Sequence, residues 1–439
     1  MSSKPKKLQL SKSKLLSGHQ CLKMLHLEWH QPDLAEVSEA TEAAYRTGNE
    51  VGDVAKQIYG TADSVEVAYR RGGMDAMVRE TAELLENGAD FPIFEATFRH
   101  KGVLVRVDVL IPVDDGWRAV EIKASTKVKP QHKIDCAIQW WVMQGVGLPV
   151  KSIALGHVNN QFVYGGDGDY ERLIAEVDLT EEAKALSATV PGLVGDARGA
   201  ITGEIPDIAV GTHCNKPYEC DFRAQCWPQN AEYPVTGLGG SKAKHAEWVN
   251  RGIIDIRDIP AEEITAEKQA RIHRVTCTGQ AEILPGAKEV LDGLAYPRYY
   301  LDFETIGPAV PIWEGTRPYQ PIPVQWSIHI DDGTGDGSLD SMGHEEFLDL
   351  SGEPPMRPLA ERMIECLGDS GPVLMYTNYE LGVIKKLIEM FPNLEVSLQA
   401  IIDRLFDLAV VVENHYYHPS MLGSWSIKKA APAIAPRMN

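Results

Sequence analysis

Residues 103–123, Val-Leu-Val-Arg-Val-Asp-Val-Leu-Ile-Pro-Val-Asp-Asp-Gly-Trp-Arg-Ala-Val-Glu-Ile-Lys, decide the fold of the first half of this chain. Two runs rich in Val and Ile flank an Asp-Gly pair, which is among the strongest short-range signals for a β-hairpin. A similar run at 93–100 precedes them, and helical patterns occupy 15–30, 36–59, 73–87 and 132–145. The mixture of helices and strands predicts an α/β protein.

The predicted hairpin brings acidic and basic side chains together. If Asp114 pairs with Trp117, Asp108 lies opposite Lys123, and Glu121 is one step diagonal to it. Side chains alternate along strands, so all three share one face. Two carboxylates suit Mg or Mn, and the lysine can stabilise an attacking water or a phosphate charge. The alternative is a solvated ion pair between Glu121 and Lys123, which is common on antiparallel sheets.

Composition and charge narrow the classes of function. With 439 residues and 44% hydrophobic content, the chain is long enough for roughly two or three globular domains. Neither a signal peptide nor a membrane span is indicated, so we expect a cytoplasmic protein without a membrane partner. The net charge of −19 favours a nucleic-acid partner less than a basic surface would, but it does not exclude one. Lysines nevertheless cluster in two segments: Lys4, Lys6, Lys7, Lys12, Lys14 and Lys23, then Lys123, Lys127, Lys129 and Lys133.

Four cysteines suggest a metal centre. Cys214, Cys220 and Cys226 are evenly spaced among polar residues, and Cys21 lies far upstream. In a reducing compartment such a group favours metal ligation over disulfides. The sulfurs suit either a tetrahedral zinc site or an iron–sulfur cluster, which would tie the start of a domain to its end. The alternative is that these thiols are buried apolar side chains.

The pattern Asp108, twelve residues, Glu121, one residue and Lys123 resembles the core of the PD-(D/E)XK nucleases. Gln139 on the next helix resembles the glutamine of the RecB-like branch. Together with the cysteines, residues 1–232 are similar to the CRISPR-associated RecB-like exonucleases. This resemblance implies a restriction-endonuclease-like domain in which Cys21, Cys214, Cys220 and Cys226 bind a 4Fe-4S cluster. The chain departs from many relatives at Gly48-Asn-Glu-Val-Gly52, which has glycine where they place a metal-binding histidine.

A second group of acids follows near residue 300. In Tyr-Tyr-Leu-Asp-Phe-Glu-Thr, Asp302 and Glu304 occupy alternate positions of an apolar strand, so both point to one side and can share a metal ion. Glu380 follows a second strand in the first turn of a helix, and Asp407 follows a later helix. The alternative is that Asp302 and Glu304 are surface acids at a strand end.

The segment with Asp302 and Glu304 resembles the first motif of RNase H-like 3′–5′ exonucleases of the DEDD type. Residues 294–439 are similar to an uncharacterised prokaryotic family of RNase H-like domains, which implies metal ligation by Asp302, Glu304, Glu380 and Asp407. The family pattern ends with a further aspartate, but this sequence has no acid after Glu413. We therefore expect a C-terminally incomplete domain, joined to the first by a linker and small helical module at 233–293.

The two resemblances predict a metal-dependent nuclease. Its expected substrate is DNA rather than RNA, either single-stranded or with exposed ends. Asp108 and Glu121 would hold Mg or Mn with the carbonyl of Ile122, Lys123 would stabilise the water or phosphate, and Gln139 would orient a water or phosphate. The alternative is a catalytically impaired nucleic-acid-binding or scaffolding protein that retains both folds.

Overall fold

A computed structural model describes residues 8–69, 73–335 and 337–436. The chain divides into two compact units: Met1–Trp227 with Pro308–Tyr319, and Pro228–Gly307 with Gln320–Asn439. Both units combine helices with β-sheets, so the predicted α/β class is confirmed. The segment 233–293 lies in the second unit. None of the helices in the described ranges is long and apolar enough to cross a membrane.

The strands of the first unit are β1 (Leu10–Ser11), β2 (Val65–Glu66), β3 (Ile93–His100), β4 (Val103–Val113), β5 (Gly116–Lys123), β6 (Val150–Val158) and β7 (Ile174–Asp178). Its helices are α1 (Lys12–Gln20), α2 (Leu22–His30), α3 (Glu39–Tyr59), α4 (Gly73–Glu86), α5 (Pro130–Gly145), α6 (Thr180–Ser187) and α7 (Val190–Thr202).

These strands form one mixed sheet in the order β2-β3-β4-β5-β6-β7, with β1 pairing in parallel to β4. The meander β3-β4-β5 is antiparallel, whereas β5 and β6 are parallel and α5 connects them. The main core includes Leu15 of α1 and Ile138 of α5, packed with Val105 and Ile153 of the sheet. Because α5 follows β5 directly and packs in this core, its inner face lies beside the end of β5.

The hairpin between β4 and β5 differs in register from the prediction. Val113 pairs with Gly116, so the turn residues are Asp114 and Asp115, and Asp115 has a positive φ of 57°. The predicted pairing of Asp114 with Trp117 is therefore wrong by two residues. Asp tolerates the left-handed conformation, which allows Asp115 to occupy the second position of this two-residue turn. A shift of two residues keeps every side chain on its expected face, because the strand repeat is two.

A short segment from much later in the sequence completes the first unit. Residues 308–319 join it, and Ala309 is buried in a cluster with Val51 and Val54 of α3 and Val158 of β6. The hydroxyl of Tyr319 donates a hydrogen bond to the carbonyl of Ala124, directly after β5. We refer to residues 308–319 as the strap. No sequence pattern predicted it.

The strands of the second unit are β8 (Glu282–Ile283), β9 (Arg298–Ile306), β10 (Ile322–Asp331), β11 (Gly343–Leu348), β12 (Val373–Met375), β13 (Leu405–Asp407) and β14 (Tyr416–Tyr417). Its helices are α8 (Lys242–Asn250), α9 (Glu267–Thr278), α10 (Ala287–Asp292), α11 (Met356–Leu367), α12 (Tyr379–Met390), α13 (Glu395–Ile402), α14 (Leu408–His415) and α15 (Ile427–Ile434).

The main sheet of the second unit has the order β11-β10-β9-β12-β13. Strand β10 pairs antiparallel with both β9 and β11, and β12 pairs in parallel with both β9 and β13. Trp248 of α8, Ile272 of α9 and Trp425 belong to one core cluster, so the helices at 233–293 pack with the C-terminal part of the chain. The sheet thus places β12 between the start of β9 and β13.

Candidate active site and cysteine cluster

The structure brings the four residues predicted from the hairpin and α5 together. The Nζ atom of Lys123 lies 2.5 Å from Oε1 of Glu121, and Nε2 of Gln139 donates to Oε2 of Glu121 at 2.5 Å. Asp108 accepts a hydrogen bond of 2.7 Å from the backbone N–H of Ile122. Glu121 is only 1% exposed and Gln139 is fully buried. The group therefore lies in a protected position at the end of β5.

Two further residues complete this group, and the sequence reasoning missed them as site residues. Nζ of Lys12 lies 2.7 Å from Glu121 and 2.9 Å from Asp135. Asp135 also forms an ion pair of 2.8 Å with Lys123 and accepts a hydrogen bond of 3.1 Å from Gln139. Asp135 precedes Gln139 by four residues, so helical spacing could have found it. Lys12 had been noted only as one of a cluster of lysines. We call Lys12, Asp108, Glu121, Lys123, Asp135 and Gln139 the charge cluster.

The electrostatics of the charge cluster follow from burial and opposite charges. Burial raises the pKa of Glu121 to about 7, with Asp108 and Asp135 adding to the shift. Burial would also raise the pKa of Asp135, but Lys12 and Lys123 outweigh it and hold that pKa far below its usual value. Burial would lower the pKa of Lys123, yet the surrounding carboxylates raise it well above the ordinary value. Burial would also lower the pKa of Lys12, yet Asp135 and Glu121 raise it above the ordinary value. Both lysines are therefore charged, and Asp135 is their main counter-ion.

One polar atom of the charge cluster has no partner. Oε1 of Gln139 is buried and makes no hydrogen bond within the described residues, although Nε2 of the same amide donates to two carboxylates. A buried acceptor without a partner is costly unless a water or ligand supplies the hydrogen. This atom is therefore suited to accept from a bound water.

Glu95 lies close enough to this group to be affected by the charge of Glu121. It has a positive φ of 59°, which is uncommon for a side chain without special turn chemistry. Its carboxylate pairs with Arg106 at 2.8 Å. Burial raises the pKa of Glu95, and the charge of Glu121 contributes to that rise. Glu95 and Arg106 together form a neutral pair at the border of the charge cluster.

The donors of the charge cluster suit a hard divalent cation. Asp108 and Glu121 offer carboxylate oxygens, and Gln139 offers the unpartnered amide oxygen. Across the described ranges, however, no three or more His, Cys, Asp or Glu side chains are arranged to hold a metal ion directly. The suitability for a cation thus rests on donor chemistry, since Lys12 and Lys123 now occupy Oε1 of Glu121.

The four cysteines of the predicted centre line one cavity. The helix expected over 15–30 is interrupted: α1 ends at Gln20, α2 begins at Leu22, and Cys21 between them is extended with φ −162°. Burial raises the pKa of the Cys220 thiol to about 11, and Cys21, Cys214 and Cys226 add to the shift. The loop is closed by a backbone hydrogen bond of 3.0 Å from Cys220 to Cys214. Four thiols lining one cavity have the donor chemistry of a thiolate-bound metal centre, although within the described ranges they are not arranged to hold a metal ion directly.

The four predicted acids of the second unit lie on three elements: Asp302 and Glu304 on β9, Glu380 in the first turn of α12, and Asp407 at the end of β13. Asp302 and Glu304 are exposed on one face of β9, while the alternate residues Leu301 and Phe303 are buried. Glu380, in the first turn of α12, is 4% exposed, and its Oε2 is buried without a hydrogen-bond partner in the described part of the chain.

The surroundings of Glu380 include two of the other predicted acids. Burial raises the pKa of Glu380 to about 7, and Asp302 and Asp407 raise it further. Asp407 also accepts backbone hydrogen bonds from Thr377 at 2.9 Å and Ala409 at 2.8 Å, so it caps α14. A nearby cation would therefore stabilise the ionised form of Glu380, whose Oε2 has no hydrogen-bond partner in the described part of the chain. Asp407, by contrast, already caps α14.

Comparison with known proteins gives limited information. Residues 299–426 match a family described as "Domain of unknown function (DUF2779)". This stretch contains the four acids predicted to bind a metal ion in the second unit. The comparison with curated proteins gave no match. One similar solved structure, described as "Crystal structure of SSO0001", has 16% identity and a TM-score of 0.26. The match covers 51% of this chain and 89% of that chain. A likeness of this size carries no argument about fold or function.

Proposed function

We propose that this protein is a metal-dependent nuclease whose main site is the charge cluster of the first unit. The observation that carries the proposal is the convergence of Asp108, Glu121, Lys123 and Gln139 at the end of β5, with Glu121 held by Lys123 and Gln139 at 2.5 Å each. Two acids, a lysine and an amide in a buried position are groups suited to metal-assisted phosphodiester hydrolysis.

Each residue has a distinct task in this proposal. Asp108 and Glu121 hold Mg or Mn, which when bound supplies an activated water and offsets phosphate charge. Lys123, which is charged at neutral pH, stabilises the negative charge that develops on the phosphate. Gln139 accepts a hydrogen bond from the attacking water through Oε1. DNA with single-stranded or exposed ends in the cytoplasm is the proposed substrate.

Under this proposal the first unit has a restriction-endonuclease-like fold, and the cysteine cavity binds a 4Fe-4S cluster through Cys21, Cys214, Cys220 and Cys226. Support comes from the four thiols lining one cavity. Zinc is the alternative ligand for the same sulfurs. In either case the centre links α1 and α2 to the loop before residue 227, and so stabilises the first unit rather than taking part in hydrolysis.

The second unit is proposed to be an RNase H-like domain with a weaker metal site. Its support is the unpartnered carboxylate oxygen of Glu380 near Asp302 and Asp407. Because Asp407 is used as a helix cap, we expect this group to bind Mn weakly and to contribute little to hydrolysis. Glu304, which shares the face of Asp302 on β9, is assigned to the same group.

The test uses the full-length chain, end-labelled single- and double-stranded DNA, matching RNA, and Mn or Mg. Wild type is expected to cleave DNA, and Lys123→Met is expected to lose at least about a hundredfold in rate, typical for losing one such group. Lys151→Ala, an exposed lysine on β6, is the control and should cleave normally. Circular dichroism checks folding.

Two results would redirect the assignment. Binding without cleavage in wild type would support the alternative of a nucleic-acid-binding or scaffolding protein. Cleavage that survives Lys123→Met but is lost on changing Asp302 and Glu304 would place the chemistry in the second unit.

A further inference from the structure

Lys12 is held at the charge cluster by a contact that is distant in sequence. It is the first residue of α1, directly after β1, and β1 pairs in parallel with β4 at Val103 and Leu104. Its Nζ atom lies 2.7 Å from Oε1 of Glu121 and 2.9 Å from Oδ1 of Asp135. The Lys12 side chain is 18% exposed, whereas the side chains of Glu121 and Asp135 are only 1% and 3% exposed. The ammonium group of Lys12 therefore lies between two buried carboxylates.

The charges of the cluster limit how many cations it can accept. When all three acids are ionised, Asp108, Glu121 and Asp135 carry three negative charges, and Lys12 and Lys123 carry two positive ones, which leaves one net negative charge. One divalent ion and one phosphodiester then give a neutral site. A second divalent ion would leave an excess of two positive charges in a buried position, which is costly.

We propose that Lys12 is a fixed internal cation that takes the position between Glu121 and Asp135 where a second divalent ion would otherwise bind. Lys12 is thereby a positioning residue that limits the charge cluster to one divalent ion. This inference rests on the proposed metal site. The geometry that supports it is specific, because Lys12 touches both Glu121, a proposed ligand, and Asp135, which no proposed ligand role explains.

The experiment counts bound Mn by electron paramagnetic resonance in the full-length chain. To isolate the first unit, all variants carry Asp302→Asn and Glu380→Gln. We expect one Mn per chain with Lys12 present and two with Lys12→Met. Lys12→Arg keeps the charge and should restore one. A merely structural Lys12 would not change the count.

A double variant with Asp135→Asn tests where the second ion binds, and it also removes the carboxylate that Lys12→Met leaves without its partner. In the Asp135→Asn background the second position lacks a carboxylate, so Lys12→Met should bind only one Mn there. An unchanged count and affinity in Lys12→Met, with normal circular dichroism, would overturn the inference. The absence of bound Mn in every variant would overturn it together with the metal site. Normal cleavage with an unchanged count would overturn the role of Lys12 alone and leave the proposed function standing.

Discussion

Asp135→Asn is the most informative single change for the charge cluster. Asp135 pairs with Lys12 at 2.9 Å and with Lys123 at 2.8 Å, and it accepts a hydrogen bond from Gln139 at 3.1 Å. Its side chain is 3% exposed, so water replaces none of these contacts. The asparagine has nearly the same shape but no charge, and the two lysines then share Glu121 as their remaining direct counter-ion.

The expected loss of stability can be sized from these contacts. At an effective dielectric constant of about 20, each pair contributes roughly 6 kcal/mol of attraction before the cost of desolvation. Removing one partner of a buried pair usually costs about 3–5 kcal/mol. Asp135 also repels Glu121, and Glu121 still pairs with both lysines after the change. We therefore expect the lower end, about 3 kcal/mol.

The assay is urea denaturation of the full-length chain in EDTA, followed by circular dichroism and tryptophan fluorescence, with the transition of the first unit fitted separately. The control is Glu181→Gln, which breaks a pair with Lys184 that has the same 2.8 Å distance but an 84% exposed carboxylate. The control should change stability by less than about 1 kcal/mol. Equal, small losses in both variants would refute the buried ion network.

Three further predictions concern other parts of the chain. Asp255→Asn should destabilise the second unit at neutral pH. Despite burial, hydrogen bonds from Arg257 lower the pKa of Asp255 from its ordinary value of 3.8, so its stabilisation is complete above pH 3.8 and is lost as the pH falls through the lowered pKa. Acid-denaturation curves of wild type and variant test this difference. Cys220→Ser should abolish the visible absorption and remove about four irons per chain, whereas exposed Cys277→Ser should leave both unchanged; one zinc and no iron in wild type would contradict the cluster. Tyr319→Phe should destabilise the first unit by about 1 kcal/mol in urea denaturation, since it removes the bond to Ala124, and an unchanged midpoint would mean that this bond contributes nothing.

The parts of the site that the sequence predicted depend on local pattern. Asp108, Glu121 and Lys123 belong to one hairpin, and strand alternation placed them on one face even though the register was wrong by two residues. Gln139 entered through a family resemblance, and Asp135 shares its helix face. The turn position was misjudged because both Asp114-Asp115 and Asp115-Gly116 are good turn pairs, and only strand pairing decides between them.

The parts that the sequence did not predict depend on contacts between distant segments. Lys12 reaches Glu121 only because β1 pairs with β4, and two-residue strands leave no periodic signal. The break between α1 and α2 at Cys21 was missed because the apolar pattern runs through it. The strap was missed because an irregular segment has no pattern that identifies what it packs against.

The strap has a consequence for how the protein is made. A ribosome has synthesised every other segment of the first unit when it reaches Trp227, but Ala309 and Tyr319 come up to 92 residues later. At about 5–20 residues per second, this interval lasts roughly 5–20 s. During that time the apolar side chains of Val51, Val54 and Val158 lack the packing contact with the strap. We therefore expect chaperones to assist folding while this apolar surface of the nascent chain is uncovered. Slower translation between Trp227 and Tyr319 should lower the yield of folded protein.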